Sequence, residues 1–365
     1  MAVLEVVSAQ FWKGKRVFVT GDSGFKGSWL SLWLMSMDCV VRGYSLEPPT
    51  SPSLFELLRL RSDIDHLTAD IRDRDALEKA IKEFSPEIVL HLAAQALVRE
   101  SYVHPVETFE TNLMGTVHLL DAVRKSPSVR AVVVITTDKC YENREWVWGY
   151  RENEPMGGYD PYSGSKGCVE IAVSAYRRSF FQGSKAEGLP VTAVASARAG
   201  NVIGGGDWAK DRLIPDIVRS LARGEAVTIR SPDAIRPWQH VLEPLSGYLL
   251  LARRLYEEGR GFADAWNFGP YDQDARPVRW IVEKMCAMMP GNKGYRIDDN
   301  PQPHEAAYLK LDCSKARQQL GWQPRWSLED ALQSIVEWTV SHMKGDDMRD
   351  VSLAQIRDYC RSGTT

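Results

Sequence analysis

Apolar runs alternate with helically spaced stretches through the first 200 residues, and that alternation leaves few folds open. The runs lie at 16–21, 39–45, 67–70, 88–92, 131–136 and 191–197. Between them, 28–37, 73–84, 107–125 and 161–181 carry helical spacing, while the Pro-, Ser- and Thr-rich 47–53 reads as a loop. A run as continuous as Ala131-Val132-Val133-Val134-Ile135 is apolar on both faces, so both faces need cover. Parallel strands joined by crossover helices supply it. The pattern predicts an α/β fold, a doubly wound parallel sheet with helices on both sides.

After Gly200 the pattern changes. Pro and Trp become frequent, elements shorten at 229–241 and 300–310, and helices return at 213–222, 245–257, 278–288 and 328–342. This reads as a smaller, mixed α/β C-terminal domain. The expected division is 1–200 for the sheet and 201–365 for the second domain, with some chain crossing back to the first.

A chain of 365 residues has room for one large or two modest domains. Net charge is −3 with acids and bases interspersed, so no basic face argues for nucleic acid or an anionic membrane. Cys39, Cys140, Cys168, Cys286, Cys313 and Cys360 are scattered, without CxxC or a His/Cys cluster. They suit the free thiols of a reducing compartment, and no metal site is expected. No apolar run approaches the ~18 residues of a membrane span, and no secretory leader opens the chain. The expectation is a soluble cytoplasmic protein.

Gly21-x-x-Gly24-x-x-Gly27 ends the first strand and opens the first helix. Glycines there permit a tight turn and let backbone approach a pyrophosphate at the helix N-terminus. The reading is a dinucleotide site, with Phe25 and Lys26 between the second and third glycines. NAD and NADP are usually told apart by an acid at the end of the second strand. Here that region is Tyr44-Ser45-Leu46, with Glu47 beyond, and Lys26 or Arg42 would favour a 2′-phosphate. Asp70-Ile71, at the end of the third strand, is placed to meet the adenine edge. A helix N-terminal cap is the plainer role for Asp70.

Two motifs carry the chemistry. Tyr162 and Lys166 stand one turn apart on a helix, where an ammonium beside a phenol lowers its pKa from ~10 toward a working value. Thr136-Thr137-Asp138-Lys139 follows the fifth strand and sets an acid beside an amine. A redox tyrosine with an added acid and base implies more than one chemical step. To act as a base near neutrality, Lys139 needs its pKa brought down to ~7–8, which a neutral Asp138 would permit.

With His91-Leu92-Ala93-Ala94-Gln95 and Thr111-Asn112-x-x-Gly115-Thr116 added, the chain resembles an extended short-chain dehydrogenase/reductase of the Rossmann type, over nearly its whole length. Within that superfamily it is similar to the nucleotide-sugar 4,6-dehydratases, where a Thr-Asp-Glu run usually ends the fifth strand. Lys139 in place of the Glu, Gly24-Phe25-Lys26-Gly27-Ser28-Trp29, the 199–208 run and Arg236-Pro237-Trp238-Gln239-His240-Val241 resemble the branch acting on CDP-glucose.

The resemblance implies tightly held NAD, regenerated each turnover, with NADP left open by the residues themselves. It places Leu92, Ala93, Ala94 and Asn112 in the cofactor site, and gives Asn112 the role of bending its helix near the active site. Asn201, Arg212 and Arg236 are candidates for the diphosphate of a nucleotide sugar, since phosphates call for guanidinium forks and amide donors. His240, Tyr308 and Lys310 are weaker substrate candidates, and His304 reads as loop.

Three stages follow from the same resemblance. Tyr162 takes the C4 hydroxyl proton as C4 is oxidised, with Thr137 on the same oxygen. Lys139 removes H5 while Asp138 protonates the departing O6. Hydride then returns to C6, in a deoxysugar pathway of the O-antigen kind. The 142–160 segment fits a lid or mouth of the site, with Trp146 and Trp148 more readily packing than stacking on a base. By analogy the 107–125 and 161–181 helices pair with their copies in a homodimer, as a four-helix bundle, or in a tetramer built from it. Burial of their apolar stripes within one subunit is equally open. A nucleotide-sugar 4-epimerase or a carbonyl reductase would need the tyrosine pair but not Asp138-Lys139. A non-catalytic dinucleotide sensor would need neither. Which base the nucleotide carries follows from resemblance alone.

Overall fold

The computed structural model describes residues 7–181, 191–289, 293–298, 300 and 306–362. β1 (Arg16–Thr20) sits at the middle of the architecture, with β2 (Val40–Ser45) on one side and β4 (Ile88–His91) on the other. The sheet continues through β3 (Asp65–Thr68) beyond β2, and through β5 (Ala131–Ile135), β6 (Ala193–Ala199) and β10 (Ala265–Phe268) beyond β4. All seven strands are parallel. Strand order reverses at β1, which opens a crevice at the carboxyl ends, the usual ligand site of such sheets.

The pleat divides the core. Val17, Val19, Leu90, Val133 and Ile135 face Trp29, Trp33, Leu245 and Leu249 on one side. Phe18, Val89, Val132 and Val134 face Leu77, Ile81, Leu119, Val169 and Val173 on the other. The expected strand–helix alternation is present, and several boundaries move. The third strand is Asp65–Thr68, not 67–70, so Asp70 and Ile71 lie beyond it. Its first two residues are paired: Arg42 Nε donates to Asp65 Oδ2 at 2.7 Å, and His66 Nδ1 lies 2.7 Å from Asp22 Oδ2. The third strand thus starts two residues early, and the sixth starts two residues late, at Ala193–Ala199.

The expected 107–125 helix is interrupted. Pro105–Phe109 is α-helical, Glu110–Met114 forms a π turn, and Gly115–Arg124 is α-helical again. Asn112 occupies the wide turn. Its Oδ1 accepts from Gln95 N at 2.8 Å, and its Nδ2 donates to Gln95 O at 3.1 Å and Ser165 Oγ at 2.9 Å. Polar capture of this kind is a usual cause of a π bulge.

Beyond β6 the chain builds two small sheets. β7 (Asn201–Ile203) pairs with β9 (Ile235–His240), which pairs with β11 (Ala275–Pro277). β8 (Val227–Ile229) pairs with β12 (Tyr295–Ile297). The Leu213–Ala222, Val278–Met288 and Leu328–Lys344 helices pack there around Ile217, Ile281 and Leu332. The Leu242–Glu258 helix and β10 instead join the large sheet. The Met348–Arg361 helix was not anticipated; it returns to the first helix, Phe25–Ser36, where Tyr359 meets Trp33 edge-on at 5.8 Å. Among the described residues no helix is long and apolar enough to cross a membrane.

Candidate active site

A cleft of about 940 Å³ opens at the crevice. Gly21 turns the chain at φ +74, and a Cβ there would lie 2.7 Å from Ala93 N. A Cβ on Gly27 would lie 2.0 Å from Gly21 O, so the helix packs on the turn only with glycine at that position. Gly24 caps the Phe25–Ser36 helix, whose first N–H groups face the cleft as an anion site. Thr20 locks the neighbouring turn: its Oγ1 accepts from Leu92 N at 3.2 Å and Ala93 N at 3.1 Å, and lies 2.7 Å from His91 Nδ1. Phe25, Lys26, Ser45, Asp70, Ile71, Leu92, Ala93 and Ala94 all line the cleft, and together they fit a dinucleotide. Asn112 does not line it; it stands one layer behind, holding Gln95 and Ser165.

An acid lies just beyond the second strand on the cleft wall. Glu47 lines the cleft, fixed by Arg61 Nη2 at 2.7 Å and Thr68 Oγ1 at 3.2 Å. Arg42 turns away to Asp65 and the Phe84 ring. Asp70 is not a helix cap, since Asp73 caps the Arg74–Phe84 helix; it accepts from Arg72 N at 2.8 Å and pairs with the Arg72 guanidinium.

Thr137, Asp138, Lys139, Tyr162 and Lys166 line the same cleft beyond the glycine turn. Thr137 Oγ1 donates to Asp138 Oδ1 at 3.0 Å and caps the short turn Asp138–Cys140. Asp138 is buried, and its Oδ2 has no hydrogen-bond partner. Burial raises the carboxyl's pKa against the pull of Lys139, Thr137, Arg236 and Lys26. A protonated acid is the result burial favours. Lys139 itself is only half-buried.

Two findings depart from the sequence reading. Burial pushes the Tyr162 phenol up to about 12, and the influences lowering it are a hydrogen bond with Thr137 and the charge of Arg212, not Lys166. Lys166 is itself pushed down to about 8 by burial, with Glu170 and Cys140 opposing, and its Nζ donates to Ile135 O at 3.4 Å. Lys26 is the second departure. Burial, Arg212 and Lys166 push its amine down to about 7, and Asp138 and Asp207 oppose. An amine poised near neutrality thus stands at the glycine turn, facing the same Asp138.

Of the substrate candidates, Asn201, Arg212 and Arg236 line the cleft. Arg212 Nη1 is held by Asp207 Oδ2 at 2.9 Å, and Arg236 Nη1 donates to Ile235 O at 3.0 Å. His240 does not reach it. It is buried between Trp29 and Trp326, with Nδ1 accepting from Leu242 N at 3.3 Å and Nε2 3.2 Å from Ser334 Oγ, and burial pushes it down to about 3. Tyr308 and Lys310 lie in a strap outside the cleft. Tyr308 O accepts from Asn143 Nδ2 at 3.0 Å, and Lys310 Nζ stands 3.7 Å from Asp272.

The 142–160 segment contributes no residue to the cleft lining either. It packs through Tyr150, which stacks on Trp146 and exchanges backbone hydrogen bonds with Lys310 and Asp312. His304 lies outside the described residues. Among the described residues no His, Cys, Asp or Glu cluster could hold a metal. The sequence reading missed Asp207 as the partner of Arg212, although it stood inside the quoted 199–208 run.

The family described as GDP-mannose 4,6 dehydratase matches residues 18–335. The chain is 58% identical to CDP-glucose 4,6-dehydratase of Salmonella typhimurium over 98% of its own length and 100% of the relative's. It is 28% identical to dTDP-glucose 4,6-dehydratase 1 of Escherichia coli, over 91% of this chain and 94% of that one. In fold it is similar to the Thermotoga maritima UDP-glucose 4-epimerase with UDP-glucose, with TM-score 0.77 and 24% identity over 90% of this chain and 99% of that one. It is similar also to a Bacillus anthracis dTDP-glucose 4,6-dehydratase in complex with NAD, with TM-score 0.73 and 20% identity over 92% of this chain and 100% of that one. A glycine turn, a buried acid and a tyrosine–lysine turn opening on one cleft are thus met in a chain that belongs to the GDP-mannose 4,6 dehydratase family.

Proposed function

We propose that this chain is a hydro-lyase that converts CDP-D-glucose to CDP-4-keto-6-deoxy-D-glucose, a step of deoxysugar synthesis. The observation that carries the reaction type is Asp138, a buried acid with one oxygen unpaired, on the same cleft as Tyr162 and Lys139. The nucleotide rests on the likeness to the Salmonella enzyme.

Breaking the C6–O bond has no driving force until the C5–H is acidic, and a ketone at C4 makes it so. The glycine turn, Ser45, Asp70, Ile71 and Leu92–Ala94 would hold NAD, which when bound would supply a reversible hydride acceptor. Tyr162 takes the C4 hydroxyl proton while Thr137 holds the C4 oxygen. Thr137 and Arg212 favour the phenolate, and Lys166 holds ribose hydroxyls. Lys139 removes H5, and Asp138 protonates O6 as it leaves as water. With hydride returned to C6 and a proton to C5, the net change is loss of water. Asn201, Arg212 and Arg236 meet the diphosphate.

Residues 1–200 serve mainly the cofactor and 201–365 mainly the sugar nucleotide, with Leu242–Glu258 and β10 crossing back. The subunits pair as a homodimer through Pro105–Arg124 and Pro161–Phe180, whose exposed Val106, Met114, Ile171 and Phe180 suit a four-helix contact. Free cysteines suit the cytoplasm.

The test is incubation with CDP-, dTDP- and GDP-glucose and reading of the 4-keto product by its absorbance in alkali. CDP-glucose alone is expected to turn over well, without added cofactor. A 4-epimer with no loss of water, or preference for another nucleotide, contradicts the reading.

A further inference from the structure

Beneath the catalytic turn runs a buried ion pair that the chemistry above does not use. Glu170 stands one turn after Lys166 on the Pro161–Phe180 helix. Its Oε1 accepts from Thr136 Oγ1 at 2.5 Å, and its Oε2 accepts from Ser196 Oγ at 2.7 Å and Arg198 Nη2 at 2.8 Å. Arg198 Nη1 donates onward to Tyr141 Oη at 2.7 Å and Glu152 O at 3.0 Å, and Tyr141 Oη donates to Asn267 Oδ1 at 2.7 Å. Glu170 and Arg198 are 5% and 3% exposed. Buried ion pairs seldom stabilise a fold more than apolar side chains of like volume. What this one does is join four parts of the site: the Lys166 turn, the end of β5, β6 and the segment after Cys140.

We propose that Glu170 is a positioning residue for the dehydration, clamping the Lys166 turn to Thr136 and setting a negative charge one turn from the Lys166 amine. It rests on the reaction proposed above. Thr136 precedes Thr137-Asp138, so its tether to the helix sets where Thr137 and Asp138 stand relative to Tyr162. The groups facing Lys166 are Glu170 and Cys140, which favour its charged form, and Lys26 and His91, which it disfavours in turn. Burial raises the Cys140 thiol and pushes His91 down to about 3, so both stay neutral. Glu170 is held ionised: burial would raise it, and Arg198, Thr136 and Ser196 outweigh that. Arg198, Arg177 and Cys140 face Glu170 in turn. Of the groups named around Lys166, Glu170 is the one that brings negative charge.

Glu170→Gln keeps the shape and removes the charge. With CDP-glucose as substrate, kcat is expected to fall at least about tenfold at pH 8 with KM within about twofold. The alkaline limb of the kcat profile is expected to move down by about one pH unit, and Glu170→Asp to restore it. Thr136→Val removes the tether and leaves the charge: kcat should fall at least about fivefold with the limb in place. A folded Glu170→Gln enzyme with kcat within twofold and an unmoved limb overturns the proposal. Should that variant fail to fold, Thr136→Val with kcat within twofold overturns it. Wild-type enzyme in the same assay separates the two claims: no 4-keto product from wild type refutes the reaction and this role with it. Wild-type turnover with unmoved variants refutes this role alone.

Discussion

Asp138 and Lys139 are neighbours in sequence with different surroundings. Asp138 is buried and raised, a form suited to give a proton; Lys139 is half-buried and opposes that shift by its charge. Burial outweighs the Lys139 charge, so Asp138 stays in the form suited to protonate a leaving oxygen. Lys139→Ala should keep exchange of the C4 hydride and lose deuterium uptake from solvent at C5. Intact C5 exchange in that variant, followed by mass spectrometry, would assign the base elsewhere, and Lys26, at about 7 on the same cleft, is where the structure directs the search. The residues of this site were legible as motifs because short spacings fix them: a helical turn for Tyr162 and Lys166, a strand end for Thr137 to Lys139. The electrostatics were not. Lys26 meets Asp138 and Arg212 through chain far from it in sequence, and His240 was read toward substrate because nothing local shows it walled in by Trp29 and Trp326.

The elements were legible where periodicity rules and misplaced where polar pairing does. β5 is apolar throughout and fell within a residue of its expected span. β3 carries Asp65 and His66, whose partners Arg42 and Asp22 lie on other elements, so its start could not be read locally. The Met348–Arg361 helix is polar enough to pass for a tail until Tyr359 is seen against Trp33. The π turn at Glu110–Met114 has one visible cause in Asn112. Asn112→Ala strands Gln95 N–H and C=O and should cost about 1–3 kcal/mol. Because Gln95 lines the cleft, the variant should also retain less bound dinucleotide after purification. Melting temperature and cofactor content check both; a variant with native values of each would leave the π turn without the role given to it.

In the molecule as a whole, burial sets His240 against acid, as it does His91. His240 is pushed down to about 3 by burial, while in the unfolded chain it titrates near ~6.5. A depressed group of this kind contributes stability present above ~6.5 and lost as pH falls toward 3. At pH 5 the loss is about 2 kcal/mol. His240→Gln should be less stable than wild type at pH 7.5, and the gap should narrow by about 2 kcal/mol at pH 5, read from denaturant unfolding. A gap independent of pH would mean His240 is not buried neutral. In the proposed reaction oxidation, elimination and reduction share one cleft without release of the sugar. CDP-glucose carrying deuterium at C4, turned over in ordinary water, tests it most directly. The deuterium is expected at C6 of the 4-keto-6-deoxy product. Deuterium lost to water, or kept at C4 of an epimer, would contradict it.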